Sequence, residues 1–183
     1  MKLYLASTSP RRKNLLARLG IPFEVVPPTF LEHETTLTPS EETLLFAEEK
    51  ARSIASPPPN ALILGCDTLI ACDGQKLGKP EDAADAKRIL KILSGKTHEV
   101  HTALFLLDTQ NGSSKRHLET TRVTFRRLSD PEIATYVATG EPFGKAGAYA
   151  IQGRARGFIT KIEGDEESVI GLPLKILRGW LGS

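Results

Sequence analysis

The order in which apolar runs and capped helical segments follow one another limits the folds open to this chain more than any other feature. "KLYLA" (residues 2–6) reads as a short buried strand. Ser9 and Pro10 then supply an N-cap and a first-turn proline, Leu15, Leu16 and Leu19 an apolar face, and Gly20 a stop, which together mark a helix. "FEVVPP" (23–28) is a second strand ended by its prolines, and the polar "FLEHETTLT" (30–38) is a loop. Thr38-Pro39-Ser40-Glu41 caps a second helix that runs to about Ala55, where "SPPPN" (56–60) breaks the chain. "ALILGCDTLIACDG" (61–74) is a strand closed by an Asp73-Gly74 turn, and "EDAADAKRILKILSG" (81–95) a third helix stopped at Gly95. "HEVHTALFLLD" (98–108) and "ETTRVTFRRL" (119–128) are strands separated by an Asn111-Gly112 turn. Ser129-Asp130-Pro131 starts a fourth helix that ends near Gly140. A glycine-rich stretch (140–157) leads to the strand "GFITKIEG" (157–164), and "LPLKILRGWL" (172–181) forms a last helix with Pro173 in its first turn. Alternation first and a strand pair in the middle favour a mixed-sheet α/β fold over a purely doubly wound one.

With 183 residues the chain is expected to be a single domain, 1–183, and the segments flanking the proline run at 57–59 are too short for separate cores. A formal net charge of +2 and 6% aromatic residues argue against a nucleic-acid partner, which needs a basic stripe with interleaved aromatics. No apolar run approaches the roughly 20 residues that span a bilayer, so no membrane partner is expected. The apolar stretch at the N-terminus is too short for a signal peptide, and Cys66 and Cys72 match neither a metal pattern nor a disulfide framework. A cytoplasmic location is the default expectation.

Several stretches imitate motifs without their context. "LSGKTH" (93–98) looks like the tail of a phosphate-binding P-loop, but Leu90 stands where the first glycine should be, and Gly95 as a helix C-cap explains the run. "GKAGAYAIQG" (144–153) has the wrong spacing for a dinucleotide fingerprint. His33, His98, His101 and His117 fit no metalloprotease pattern, and His98 and His101 read as structural. "EGDEES" (163–168) lacks the alternating ligands of a calcium loop and reads as a solvated turn.

Two features resist a bland reading. Arg11, Arg12 and Lys13 stand at the start of the first helix, where the helix dipole disfavours cations. An anion bound there would compensate them, with helix-start N–H groups, the hydroxyls of Ser7, Thr8 and Ser9, and the arginine forks forming a phosphate cradle. Asp67 sits inside an apolar strand although Asp73 already serves the turn, and an isolated buried carboxylate needs a metal, a cation or a wet cleft. Gly65 shares its face of the strand, and by removing bulk there it is expected to leave room for a ligand. Lys79, held extended before Pro80, Lys50 on the second helix and Glu32 in the loop are unremarkable singly. As a set, one carboxylate cluster would hold a divalent cation and several cations would meet a polyphosphate.

With these residues in view, the chain resembles the Maf family, the septum-formation-inhibitor-like nucleotide pyrophosphatases. The resemblance covers nearly the whole chain and rests on "LASTSPRR" (5–12), "EKA" (49–51), "GCDTL" (65–69), "LGKP" (77–80), "SGKTHEV" (94–100), "KAGAYAIQG" (145–153) and "VIGLPL" (169–174). It implies an elongated mixed α/β sheet in two lobes around a deep cleft, similar to the enzymes that cleave inosine triphosphate. It further implies cleavage of nucleoside triphosphates between the α- and β-phosphates, a divalent cation (magnesium or manganese) and a homodimer. Carried over position by position, Asp67 matches the proton acceptor, with a second role at the metal. Ser7, Arg12, Lys50 and Lys79 match phosphate-binding positions, and Glu32 a metal-binding glutamate. The family commonly has Asp before that glutamate where this chain has Leu31, and Glu34 is an alternative ligand. Arg11, Thr68 and Gln152 match the members acting on dTTP and UTP rather than on 7-methyl-GTP. The chemistry agrees, because a glutamine amide offers both a donor and an acceptor to the O4/N3–H edge of uracil or thymine.

The expected function is therefore hydrolysis of dTTP and UTP to the monophosphate and pyrophosphate. The rival reading is a nucleotide-binding regulator of cell division without catalysis. The same phosphate cradle would serve it, but mere binding does not need Asp67.

Overall fold

The computed structural model describes residues 1–182. Its helices and strands follow the order read from the sequence, with β4 and α5 added to it. They are β1 (Lys2–Ala6), α1 (Pro10–Ala17), β2 (Phe23–Val26), α2 (Pro39–Arg52), β3 (Ala61–Cys72), β4 (Gln75–Leu77), α3 (Ala83–Leu93), β5 (Thr97–Asp108), β6 (Ser114–Phe125), α4 (Asp130–Ala138), β7 (Ile159–Glu163), α5 (Glu166–Ile170) and α6 (Leu174–Leu181). Single 3₁₀ turns at Ala146–Ala148 and Arg154–Phe158 fill the glycine-rich stretch. The strands of the described residues form one seven-stranded mixed sheet in the order β2-β1-β3-β5-β6-β7, with β4 added to β3. β1 is parallel to both β2 and β3, whereas β4 pairs antiparallel with β3 and β7 antiparallel with β6. The mixed α/β class expected from the order of elements is the one observed.

The helix starts follow their local chemistry. Ser9 accepts the Arg12 N–H at α1, and Thr38 with Glu41, like Ser129 with Glu132, closes a complete capping box at α2 and α4. Gly95 follows α3 with a positive φ of 69°, and a Cβ there would lie 3.0 Å from Arg127, so the apparent P-loop tail is a helix stop.

Three local expectations are corrected. β6 begins at Ser114 rather than Glu119, and its polar first half is carried by pairing in the sheet rather than by an apolar pattern. Residues 126–128 leave the strand, because the Leu128 N–H is taken by the Ser94 hydroxyl at 2.8 Å. The acidic run at 163–168 holds the short helix α5 in place of an open turn, tied down where the Ser168 hydroxyl donates to Asp165 O at 2.6 Å.

The chain divides into two compact units. The first comprises Met1–Thr68, Thr102–Glu119 and the segment from Gly171 onward, the second Leu69–His101 and Thr120–Ile170. The core of the first packs Ala47, Ala51 and Ile54 of the α2 region on Ala6, Ile63, Ala103 and Phe105. The second is built around aromatic edges. Phe125 meets His98, Tyr149 and Phe158 at ring distances of 5.0, 4.9 and 6.0 Å, and Tyr136 meets Phe158 at 5.1 Å. His98 is buried and bonded to the Tyr149 hydroxyl at 2.8 Å, which makes it a core residue as expected.

Candidate functional site

Within the first unit, Asp67 finds the cation that its burial demands. Lys50 Nζ donates to Asp67 Oδ1 at 2.5 Å and to Glu32 Oε1 at 2.7 Å. Lys50 is only 8% exposed and Asp67 6%. The ammonium thus bridges two carboxylates that lie 17 and 18 residues from it in sequence. Asp67 and Glu32, expected at a divalent cation, both contact Lys50, which was expected at a phosphate.

Gly65 explains how the bridge forms, and not in the way expected. A Cβ at Gly65 would lie 2.0 Å from Ala47 O and 2.9 Å from both the Cβ and N of Ala51. The bare backbone therefore admits helix α2 rather than a ligand. Ala47, Lys50 and Ala51 share one helical face, so the close approach that Gly65 permits also delivers Lys50 to Asp67, two residues on along the same strand face.

Glu32 is held by its neighbours. The Phe30 N–H donates to Ser53 Oγ at 3.0 Å and the Thr29 hydroxyl to Ser53 O at 2.6 Å. Phe30 and His33 both set their rings against Phe46, at 5.1 and 5.4 Å. The loop is thus pinned to α2 on either side of Glu32, while Leu31 is 83% exposed.

A second cluster gathers at the start of α1. Arg12 Nε donates to Gly171 O and Arg12 Nη2 to Thr68 Oγ1, each at 3.0 Å. Thr68 Oγ1 also shares a hydrogen bond with Thr102 Oγ1 at 3.1 Å. Buried Ser7 accepts the Ser9 N–H on its hydroxyl at 3.1 Å. Both partners of Arg12 are neutral, α1 has no acidic residue in its first turn, and no carboxylate pairs with Arg11 or Arg12 among the described residues. Burial, and secondly the charge of Arg12, push the Arg11 guanidinium below its usual value. Two adjacent, partly buried cations with no anion of the protein's own form an electrostatically unsatisfied pole.

Asp67 and Thr68 are successive residues of β3, so the carboxylate cluster and the arginine cluster belong to opposite faces of that strand, joined through one peptide. Lys79 and Gln152 are exposed residues of the second unit, Lys79 following β4 and Gln152 in the turn before the second 3₁₀ segment. Gly171 is the functional residue that sequence reasoning missed. Its φ is +125° and a Cβ would lie 3.3 Å from Arg12 Nε, so glycine both supplies the carbonyl and clears space for the guanidinium. The only signal was the "VIGLPL" block, to which no role had been attached. Cys66, beside Asp67, is fully buried, and burial pushes its thiol up to about 11, which removes it as a nucleophile.

No group of three or more His, Cys, Asp or Glu side chains able to hold a metal occurs among the described residues. Asp67 and Glu32 nevertheless fit a hard divalent cation. Magnesium commonly uses one or two protein carboxylates and takes its other oxygens from phosphates and water. The two carboxylates already converge on a single positive charge.

Residues 2–183 match the family model described as Maf-like protein. A protein of Moorella thermoacetica named dTTP/UTP pyrophosphatase is 48% identical over 174 residues, which cover 94% of this chain and 90% of that protein. One of the same name from Carboxydothermus hydrogenoformans is 42% identical over 184 residues, covering 98% and 99%. A third, from Bdellovibrio bacteriovorus, is 44% identical and covers 98% and 96%. A match over the whole length, together with a buried Asp67 and a cation-rich α1 start, establishes that this chain belongs to the Maf-like protein family.

Proposed function

We propose that this protein is a nucleoside triphosphate pyrophosphatase acting on dTTP and UTP, releasing the monophosphate and pyrophosphate. The observation that carries the reading is the pairing on β3 of a buried, cation-held carboxylate, Asp67, with a residue that anchors an arginine lacking any anionic partner, Thr68 with Arg12. The names of the relatives supply the substrates.

In this reading Asp67 orients the attacking water and takes its proton, and Lys50, which the family resemblance assigns to a phosphate, fixes the carboxylate for that task. Arg12, held by Gly171 and Thr68 through Nε and Nη2, keeps Nη1 for a phosphate oxygen, and the α1 N–H groups and Ser7 add donors. Arg11 adds charge beside them. A divalent cation, magnesium or manganese, would be held by Asp67 and Glu32 and would supply charge neutralisation on the phosphates. The roles of Lys79 in phosphate binding, and of Arg11, Thr68 and Gln152 in choosing the base, rest on the family resemblance. On the same ground the chain acts as one catalytic domain over residues 1–183, as a homodimer in the cytoplasm. No helix of the described residues is long and apolar enough to cross a membrane.

Purified protein with magnesium should release pyrophosphate from dTTP and UTP. Asp67→Asn, which keeps the shape and removes the base, should lower kcat by about 10²–10⁴. Nucleotide binding without pyrophosphate release would leave the regulatory reading in place. Near-normal turnover by Asp67→Asn would remove Asp67 from the chemistry.

A further inference from the structure

In the second unit a carboxylate with no assigned role sits at the centre of the turn that carries Gln152. Glu141 Oε1 accepts from the Tyr136 hydroxyl at 2.8 Å and from the Ala155 N–H at 3.5 Å, and Glu141 Oε2 accepts from the Arg154 N–H at 3.1 Å. The Tyr136 hydroxyl in turn accepts the Ala150 N–H at 3.3 Å. Backbone groups on both sides of Gln152 are therefore tied to one Tyr136–Glu141 pair.

The fit is tight. A Cβ on Gly153 would lie 2.3 Å from Glu141 Oε1 and 2.6 Å from Oε2, so glycine beside Gln152 is what lets the carboxylate enter the turn. Lys145 Nζ donates to Glu141 O at 2.5 Å and fastens the backbone of the carboxylate as well. Tyr136 is 4% exposed and packs on Phe158, so the anchor itself is fixed in the core. Burial first, and then the hydrogen bond to Glu141, hold the phenol above its usual pKa, which keeps it a donor.

We propose that Glu141 and Tyr136 are positioning residues for base selection, clamping the 150–155 turn so that Gln152 meets the pyrimidine edge in one fixed approach. The proposal rests on the reading that Gln152 contacts the base. Its physical basis is that an amide on a loose turn can shift in distance and angle until either order of its donor and acceptor fits a base edge. It would then match the O4/N3–H edge of uracil or the N4–H/N3 edge of cytosine alike. A turn that does not adapt fixes the distance and angle at which the amide meets the base and so favours one edge over the other.

The test is Glu141→Gln, whose amide offers one acceptor oxygen to donors now shared by two, with Tyr136→Phe as the second variant because its ring keeps the packing on Phe158. Two quantities are read: amide hydrogen exchange over residues 150–155, and the ratio of kcat/KM for dTTP to that for dCTP. The clamp predicts faster exchange at Ala150, Arg154 and Ala155 and a fall in the ratio of about tenfold, the scale of one lost charge-assisted hydrogen bond. The fall should be no larger in Glu141→Gln/Gln152→Ala than in Gln152→Ala alone. Unchanged exchange in both variants, an equal fall on both substrates, or full additivity with Gln152→Ala overturns the proposal. If Gln152→Ala itself leaves the ratio unchanged, the base assignment of Gln152 fails and the positioning role falls with it, whereas the exchange data still report on the clamp separately.

Discussion

Adding a single methyl group at Gly65 tests the geometry on which the carboxylate cluster depends. The new Cβ would stand 2.0 Å from Ala47 O and 2.9 Å from Ala51 N, both of them α2 backbone atoms that no rotamer change can move aside. Ordinary contact begins near 3.5 Å, so α2 must retreat from β3 by about 1 Å or more. Overpacking of this kind costs about 1–3 kcal/mol. For a chain of this length that corresponds to a fall in Tm of about 2–12 °C. Activity should fall further than stability, because Lys50 lies on the displaced face and its bridge to Asp67 at 2.5 Å has no slack. Misplacing a catalytic group by about 1 Å can cost about 10²-fold in rate. Gly65→Ala should therefore remain folded at 25 °C, melt several degrees early in calorimetry, and release pyrophosphate from dTTP about two orders of magnitude more slowly. A variant with both the wild-type Tm and the wild-type kcat would refute the claim that this glycine exists to admit the helix.

Two further outcomes follow from burial. Lys50→Met leaves Asp67 buried without its cation and should cost about 3–5 kcal/mol in urea unfolding, and adding Asp67→Asn should recover most of that loss; a double variant as unstable as the single one would mean that the pair does not interact as described. His98 is 1% exposed and burial pushes its pKa down to about 4, against 6.5 for the ordinary side chain. The unfolded chain then binds the extra proton, so stability is intact above about pH 6.5 and is lost as the pH falls from there toward 4. The loss between pH 7 and pH 5 should be about 2 kcal/mol. His98→Phe should flatten that slope in urea midpoints measured at the two values, and a slope unchanged from wild type would assign the acid sensitivity elsewhere.

What could be read from the chain directly was governed by short-range chemistry. A capping residue followed at once by a proline and an acidic side chain marks a helix start locally, and Thr38-Pro39-Ser40-Glu41 needed no other part of the molecule to be recognised. Asp67 was legible for a different reason: a carboxylate in an apolar strand announces a partner without saying which. The polar start of β6 and the short α5 were not legible, since an exposed strand has no apolar alternation and a five-residue helix is set by its contacts.

Sequence alone thus determined the longer helices, most of the turns, the mixed α/β class and the existence of two charged sites in need of partners, at Asp67 and at Arg11–Arg12. Only the tertiary structure decided what answers them. Lys50 comes to Asp67 because Gly65 lets α2 close on β3, and Gly171 holds Arg12 although it lies 159 positions further along the chain. Caps and turns are fixed by atoms a few bonds apart, whereas the partner of a buried charge is chosen by which surfaces the packed core brings into contact, and no local pattern encodes that choice.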